Sequence, residues 1–158
     1  MGEKSEKIIA AVGRYLVEDM SYYRNTYHIV FRTKYSQCTI FEESERDLYA
    51  YILGFCNNSK CKLYRIGGMP DHIHMLVDIP PTVALASFMN KLKSETSKWL
   101  KQNHNFPMFS GWGEGYACFT YAFDDLDTVK NYIRNQKEHH RVETFANEYR
   151  RLIESQGI

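Results

Sequence analysis

The chain has 158 residues, of which 44% are apolar and 25% charged, and its formal net charge is +1. This length predicts one domain with a buried core, and the composition is typical of a globular protein rather than a disordered one. A net charge so close to zero excludes a surface that is basic throughout. A nucleic-acid site would therefore need basic residues gathered in one region.

The four cysteines are scattered and form no CxxC pair, which favours reduced thiols that act as small apolar residues: Cys38, Cys56, Cys61 and Cys118. No apolar run has the length of a membrane span, and no segment combines the regions of a signal peptide. We therefore expect a soluble, cytoplasmic protein.

The first predicted element is a short amphipathic helix within residues 1–19, because apolar residues recur there at helical spacing. We interpret it as an accessory N-terminal extension that lies outside the core. Residues 20–158 then form the predicted domain.

The elements of this domain follow from alternating side chains in strands and apolar stripes in helices. In chain order they are a strand over 22–34, a helix over 42–57, strands over 61–66 and 72–79, a helix over 83–103, a strand over 116–123, a helix that begins at 124–127, and a last helix over 143–154. Gly67-Gly68 and Pro70-Asp71 are predicted to form the tight connection between the second and third strands. This order predicts an α+β fold, a ferredoxin-like split β-α-β sandwich. Its antiparallel sheet has helices on one face, and C-terminal helices follow.

His72 and His74 flank one apolar residue on the third strand, so both side chains are expected on one face. Two imidazoles on an otherwise apolar strand cost desolvation free energy unless they share a partner, and a divalent metal is such a partner. The alternative is that one histidine is buried and hydrogen-bonded while the other is exposed.

Tyr132 and Gln136 are four residues apart in a helical stretch, which predicts that they share a helix face. The carbonyl oxygen of a glutamine can ligate a metal, and a tyrosine near a cation forms the phenolate more readily and could attack a phosphodiester. The alternative for Tyr132 is an ordinary core aromatic.

Basic residues recur at several points of the chain, where the usual interpretation is a solvated face. The candidate DNA-binding residues are Arg32, Lys34, Lys91, Lys93, Lys98, Arg134, His139, His140 and Arg141. The Gly-rich loop around Trp112 could bring the backbone close to a ligand, or it could form a simple turn.

Taken together, ordered blocks of the sequence resemble the single-tyrosine HUH transposases of bacterial insertion sequences, the IS200-like transposases. The blocks run from residue 22 to the C-terminus and comprise residues 27–35, 69–77, 91–99 and 132–136. The continuation over 137–141 and the ending over 145–158 are similar to the branch that is associated with repetitive extragenic palindromes (REP). The chain departs from many members at Phe119–Phe123, where they carry a Thr-Val-Gly run.

The resemblance implies a transposase that cleaves and rejoins single-stranded DNA at hairpin or palindromic ends through a 5′-phosphotyrosine intermediate. It implies that Tyr132 is the nucleophile and that His72, His74 and Gln136 bind a divalent metal, Mg²⁺ or Mn²⁺. Single-stranded DNA of the bacterial nucleoid would be the partner, without a nucleotide cofactor or a membrane. A homodimer is common among members, so Tyr132 could act in cis or in trans.

The alternative function is a non-catalytic or domesticated protein of the same fold that binds single-stranded DNA or RNA. Sheets of this topology bind single strands by stacking bases on aromatic side chains. A protein that only binds has no need of the two histidines, the tyrosine and the glutamine together, which favours the transposase.

Overall fold

The computed structural model describes residues 22–158, so the helix predicted within residues 1–19 lies outside the described part of the chain. Four antiparallel strands form one sheet in the order β2-β3-β1-β4. The elements are β1 (Thr26–Arg32), α1 (Glu45–Asn58), β2 (Lys62–Met69), β3 (His72–Asp78), α2 (Leu85–Gln102), β4 (Ala117–Thr120), α3 (Leu126–Arg134), α4 (Gln136–His139) and α5 (Phe145–Ser155). This is the ferredoxin-like α+β arrangement that the order of strands and helices predicts.

The main core lies between one face of the sheet and helices α1 and α2. Alternate residues of β1 and β3 point into it, among them Phe31, Ile73 and Met75, and each is at least 99% buried. The helices contribute the apolar stripes that their spacing predicts, such as Leu48 of α1 and Leu92 of α2.

Helices α3, α4 and α5 cover the opposite face of the same sheet, so its two central strands are buried on both sides. Leu76 packs against Val129 and Ile133 of α3, while Val30 packs against Leu152 of α5. Buried sheets of this kind are expected to be apolar on both faces. The polar exceptions on this second face are therefore conspicuous, and they form the site described below.

Strands β1, β2 and β4 differ from the bounds that the sequence predicts. Strand β1 begins at Thr26, four residues later than predicted, and β4 covers only four residues, because the β1–β4 ladder ends at the pair Tyr27–Thr120. Strand β2 continues through Gly67-Gly68, which were predicted to belong to the connection. Both glycines remain paired with β3, so the turn itself is confined to Pro70-Asp71.

Gly67 has a packing role in β2. A Cβ atom at this position would lie 2.7 Å from the carbonyl oxygen of Ile133 on α3. The absence of a side chain therefore allows α3 to approach the sheet closely. The close approach fixes the distance between α3, which carries Tyr132, and the sheet, in which β3 carries the two histidines.

Replacing Gly67 by Ala is expected to destabilise the fold by about 1–3 kcal/mol, because α3 must shift to admit the added methyl group. The matched control is Gly54→Ala on α1, where a new Cβ meets no atom of residues 22–158 within 4 Å. That substitution is expected to stabilise the protein by about 0.5–1 kcal/mol, because alanine favours the helix. Denaturant unfolding of both variants measures the difference, and equal effects would contradict the proposed close approach.

None of the helices between residues 22 and 158 combines the length and the apolar character that crossing a membrane requires. All four cysteines are free thiols, of which Cys56 and Cys61 are buried and Cys38 is exposed.

Candidate metal and tyrosine site

The two histidines of β3 point to the sheet face that α3–α5 cover. His72 and His74 are both fully buried, and their ring centroids are 5.1 Å apart. Across the β1–β3 ladder, His72 pairs with Arg32 and His74 pairs with Val30. Because every second residue of a strand shares a face, the spacing alone makes these imidazoles neighbours.

A carboxylate from α5 connects the two imidazoles. Glu148 is fully buried, and its Oε1 lies 2.9 Å from Nε2 of His74 and 3.2 Å from Nε2 of His72. Its Oε2 accepts hydrogen bonds from the Tyr132 hydroxyl and from Nε2 of Gln136, the latter at 3.0 Å. One carboxylate thus joins both histidines to the tyrosine and the glutamine within a single chain.

The outer nitrogens of both histidines are held by further side chains. Nδ1 of His72 lies 2.7 Å from Oδ1 of Asp71, and Nδ1 of His74 lies 2.8 Å from Nε2 of His28. Contacts of this kind orient the imidazoles of a metal site. The other ring nitrogen of His28, Nδ1, is buried and has no partner among residues 22–158.

Tyr132 reaches the site from α3. Its hydroxyl donates to Glu148 and accepts a hydrogen bond from Nη2 of Arg151 at 2.9 Å. Its ring stacks on His139 with 4.5 Å between centroids and meets His74 edge-on at 5.9 Å. Burial, followed by the hydrogen bond to Glu148, raises the pKa of Tyr132 above its ordinary value. The phenol is therefore held in place, with its hydroxyl directed at the carboxylate.

Gln136 reaches the site from α4, which a break in the helix separates from α3. Helix α3 ends at Arg134 and α4 begins at Gln136, so the continuous helix expected across Tyr132–Gln136 is wrong: it is interrupted at Asn135, whose φ and ψ are −95° and 20°. Oε1 of Gln136 nevertheless lies 3.1 Å from Nε2 of His72. The two side chains still converge, because both bind the same carboxylate oxygen of Glu148.

Burial governs the protonation of the imidazoles and the carboxylate. It lowers the pKa of His28 to about 3 and that of His74 to about 4, so both are neutral at pH 7. Burial alone would raise the pKa of the Glu148 carboxyl, but hydrogen bonds from His72 and His74 hold it well below its usual range. For His72, burial lowers the pKa while hydrogen bonds with Asp71 and Glu148 raise it, and the net direction is upward.

The donor set of this site suits a divalent cation. One donor atom from each of His72, His74 and Glu148 can be chosen so that all three lie within 4.8 Å of one another, and the Gln136 carbonyl oxygen faces His72. Imidazole lone pairs and carboxylate oxygens repel one another unless a proton or a metal ion lies between them. Mixed nitrogen and oxygen ligands are those of first-row divalent metals. The residues present could therefore hold a metal, with Glu148 added to the three predicted ligands.

Side chains around α4 and α5 close the site to solvent. Phe145 stacks on the His72 ring at 4.1 Å, and His140 meets that ring edge-on at 4.7 Å. Nε2 of His140 is buried and lies 3.1 Å from Oε1 of Glu148 without making a hydrogen bond. Phe145 and His140 therefore cover the His72 ring on this side of the site. Outside them lies an open depression of about 500 Å³ that Asp71 and residues 140–145 help to line.

The candidate DNA-binding residues lie in separate regions of the fold. Arg32 is the ladder partner of His72, and Arg141 lines the depression outside the site. Lys91 and Lys98 are exposed on α2, which packs on the opposite face of the sheet. Arg134 is exposed at the end of α3, and His139 stacks on Tyr132, as described above. The structure thus brings part of this set to the site and places the α2 lysines away from it.

The other lysines of the set differ in how much of the side chain is free. Nζ of Lys93 donates to the carbonyl oxygens of Gly113 and Gly115, at 2.9 and 2.5 Å, so this ammonium group holds a loop. Lys34, by contrast, is exposed at the end of β1.

Two central residues, Glu148 and His28, are absent from the sequence-based set of site residues. Glu148 falls within the apolar stripe of α5, which also carries Phe145, Tyr149 and Leu152. A charged residue within such a stripe is rarely buried without a partner, so this pattern could have indicated its role. His28 gave no comparable signal, because its partner His74 lies 46 residues away in the sequence.

Replacing Glu148 by Ala is expected to lower the free energy of unfolding by about 3 kcal/mol, because buried polar partners lose their shared acceptor. Glu138→Ala is the matched control, since that side chain is 64% exposed and pairs with Arg141 on the surface. Its expected effect is below about 0.5 kcal/mol. Urea unfolding in the presence of a chelator measures both. A Glu148→Ala variant as stable as wild type would contradict the central position of this carboxylate.

The sequence model of the family described as "Transposase IS200 like" matches residues 21–136 of this chain. The transposase for insertion sequence element IS200 of Salmonella typhimurium is 28% identical over an alignment of 120 residues that covers 73% of this chain and 79% of that protein. The ISDra2 transposase TnpA of Deinococcus radiodurans is 22% identical over an alignment of 125 residues that covers 73% of this chain and 86% of that protein.

The fold is also similar to a solved structure, that of a REP-associated tyrosine transposase bound to a REP hairpin. The TM-score is 0.57 at 15% sequence identity, over 77% of this chain and 74% of the other. At that identity the similarity establishes the fold alone. The family assignment instead rests on the match over residues 21–136, which includes both histidines of β3, Tyr132 and Gln136. The chain belongs to the IS200-like transposase family.

Proposed function

We propose that this protein is a metal-dependent strand transferase that cleaves and rejoins single-stranded DNA at hairpin or palindromic ends, with Tyr132 as the nucleophile. The observation that carries the proposal is the meeting of a tyrosine hydroxyl and two imidazoles on the two oxygens of one buried carboxylate. Membership of a transposase family supports DNA as the substrate.

In the proposed site His72, His74 and Gln136 would hold a divalent metal, Mg²⁺ or Mn²⁺, with Glu148 as a further ligand. When bound, the metal would polarise the scissile phosphate and stabilise charge on its oxygens. The two nitrogen ligands suit Mn²⁺ better than Mg²⁺, which prefers oxygen. His28 keeps the His74 ring oriented through its hydrogen bond of 2.8 Å.

The proposed reaction exchanges one phosphoester bond for another. The Tyr132 oxygen attacks phosphorus, a phosphorus–tyrosine bond forms, the bond to the 3′ oxygen breaks, and that oxygen takes up a proton. Glu148 accepts the hydrogen bond of the phenol and is placed to receive its proton, while Arg151 donates to the same oxygen. Attack by a 3′-hydroxyl on the phosphotyrosine reverses these changes and rejoins DNA without ATP.

The solved neighbour of similar fold is described as bound to a REP hairpin, and we propose hairpin-ended single-stranded DNA as the partner of this chain too. Tyr132 and the histidines converge within one chain, which supports action of the tyrosine in cis. A homodimer is then not required to complete the site. It stays a prediction that analytical ultracentrifugation would test.

The test is a cleavage reaction with a single-stranded DNA that ends in a hairpin, labelled at either its 3′ or its 5′ end, with Mn²⁺. A 5′-phosphotyrosine predicts that the 3′ label travels with the protein on a denaturing gel. The 5′ label should appear on a shorter, free oligonucleotide that ends in a 3′-hydroxyl. A perfectly paired duplex of the same sequence is the control and should give neither product. Label transfer from the 5′-labelled strand would contradict the proposed polarity.

The alternative, a binding protein without catalysis, predicts retained hairpin affinity and no adduct with any divalent metal. The closed state of the site is the observation that favours it, since Phe145 covers the His72 ring. Covalent product in the reaction above would exclude it.

A further inference from the structure

A second feature that could receive DNA lies at the end of β1, beside the histidine site. It is a recess of about 350 Å³, lined by Arg32, Lys34, Tyr35, Trp112, Gly113 and Glu114. Two cationic side chains and one acidic side chain border it, so its local charge is positive. An anionic ligand is therefore favoured there.

The inner wall of the recess is rigidly built. The backbone of the 111–113 loop is joined to the end of β1 by hydrogen bonds from Lys34 N to Gly111 O and from Gly113 N to Arg32 O, both 2.8 Å long. Nε1 of Trp112 donates to the Thr96 hydroxyl at 2.9 Å, which fixes the indole against α2. Because these three hydrogen bonds fix the wall before a ligand binds, little conformational entropy would be lost there on binding.

Tyr35 forms the outer border and is turned away from the core. The residue is 77% exposed, and Nζ of Lys34 lies 5.5 Å from the ring centroid. Tyr35 and Ser36 adopt φ values of 57° and 54°, a left-handed conformation that costs free energy for any residue with a side chain. The backbone is thus strained at the residue whose aromatic ring faces solvent. Exposed aromatic rings beside cations are surfaces on which unpaired bases stack.

The position of Arg32 connects this recess to the histidine site. Arg32 is the ladder partner of His72, so both side chains emerge on the same face at the same end of the sheet. Nη1 of Arg32 also reaches the Ser36 hydroxyl at 3.3 Å. A DNA strand with one phosphate at His72 would therefore pass Arg32 and then the Tyr35 ring.

We infer that this recess binds one unpaired nucleotide of the DNA strand next to the scissile phosphate, with its base stacked on Tyr35 and its phosphate held by Arg32 and Lys34. The inference rests on the proposed function, because the scissile phosphate is placed by the histidine site. It adds a contact that reads the single-stranded state of the substrate, since a base in a duplex is not available for stacking.

The test measures the affinity for fluorescein-labelled (dT)20 by fluorescence anisotropy, with a chelator present so that no cleavage occurs. Tyr35→Ala is expected to weaken binding about tenfold, the effect of losing one stacked base. Tyr35→Phe should bind like wild type, because stacking needs the ring and not the hydroxyl. Tyr22→Ala is the matched control, since Tyr22 is also exposed, at 65%, but precedes β1. Affinity for a (dA)20·(dT)20 duplex should not change in any of these variants.

A further variant separates stacking from backbone strain. Tyr35→Gly removes the ring while it accepts the left-handed φ, so it should bind (dT)20 as weakly as Tyr35→Ala. Tyr35→Ala with wild-type affinity, or Tyr35→Gly with restored affinity, would overturn the inference. If covalent adduct forms but (dT)20 binding is indifferent to Tyr35, the recess is wrong and the strand-transfer proposal stands. If binding depends on Tyr35 but no adduct forms, the recess binds single-stranded DNA and the strand-transfer proposal is wrong.

Discussion

Replacing Tyr132 by Phe is expected to lower the rate of covalent adduct formation by at least about 10⁴-fold, the scale of losing a nucleophile. The substitution removes only the oxygen that donates to Glu148 and accepts from Arg151. It keeps the ring that stacks on His139. Affinity for a labelled DNA hairpin should therefore stay within about twofold of wild type, because neither the fold nor the basic surface changes. The measurement pairs a denaturing gel for the adduct with anisotropy for binding.

The matched control for Tyr132→Phe is Tyr121→Phe. Tyr121 is half-buried beside the same cluster, with its ring 6.1 Å from that of His28. The hydrogen bond to Glu148 comes from Tyr132, so the Tyr121→Phe variant should form adduct at nearly the wild-type rate. Adduct formation by Tyr132→Phe would remove Tyr132 as the nucleophile. If adduct formation were lost in Tyr121→Phe but retained in Tyr132→Phe, the nucleophile would be Tyr121.

The parts of the site that could be predicted from the sequence are those that local geometry determines. The shared face of His72 and His74 follows from the two-residue period of a strand. The proximity of Tyr132 and Gln136 follows from a four-residue spacing, although the break at Asn135 shows that spacing does not guarantee a continuous helix. The ferredoxin-like fold is likewise confirmed. It could be predicted from the order of strands and helices, because each of these elements shows its own periodicity.

The parts that could not be predicted depend on contacts between residues far apart in sequence. Glu148 reaches His74 across 74 residues, and nothing in either segment alone specifies that α5 docks over β3. The Gly67-Gly68 pair predicts a turn, yet Gly67 allows a close approach by α3 that only the packed structure reveals. Long-range packing of this kind decides which of several polar residues meet.

Replacing His72 by Ala is expected to weaken Mn²⁺ binding by at least about 100-fold, because loss of partners that merely orient a ligand already costs 10–100-fold. His72 is the histidine whose Nε2 faces both the Glu148 and the Gln136 oxygens. Metal bound only to the folded state would stabilise wild type by about 2.7 kcal/mol at 100 times its Kd, and the variant should gain almost nothing under the same conditions. Isothermal calorimetry and unfolding curves with Mn²⁺ or chelator measure the two effects.

The control for His72→Ala is His104→Ala, since His104 is exposed in the segment after α2 and has no part in the site. That variant should bind Mn²⁺ and cleave DNA like wild type. Because His72 is fully buried, its removal also changes the stability of the metal-free protein, so the decisive quantity is the increment that Mn²⁺ adds to each protein's own baseline. An unchanged increment in His72→Ala would remove the metal assignment even if cleavage were lost. A lost increment with cleavage retained would separate the metal from the chemistry and leave Tyr132 to act with Glu148 and Arg151 alone.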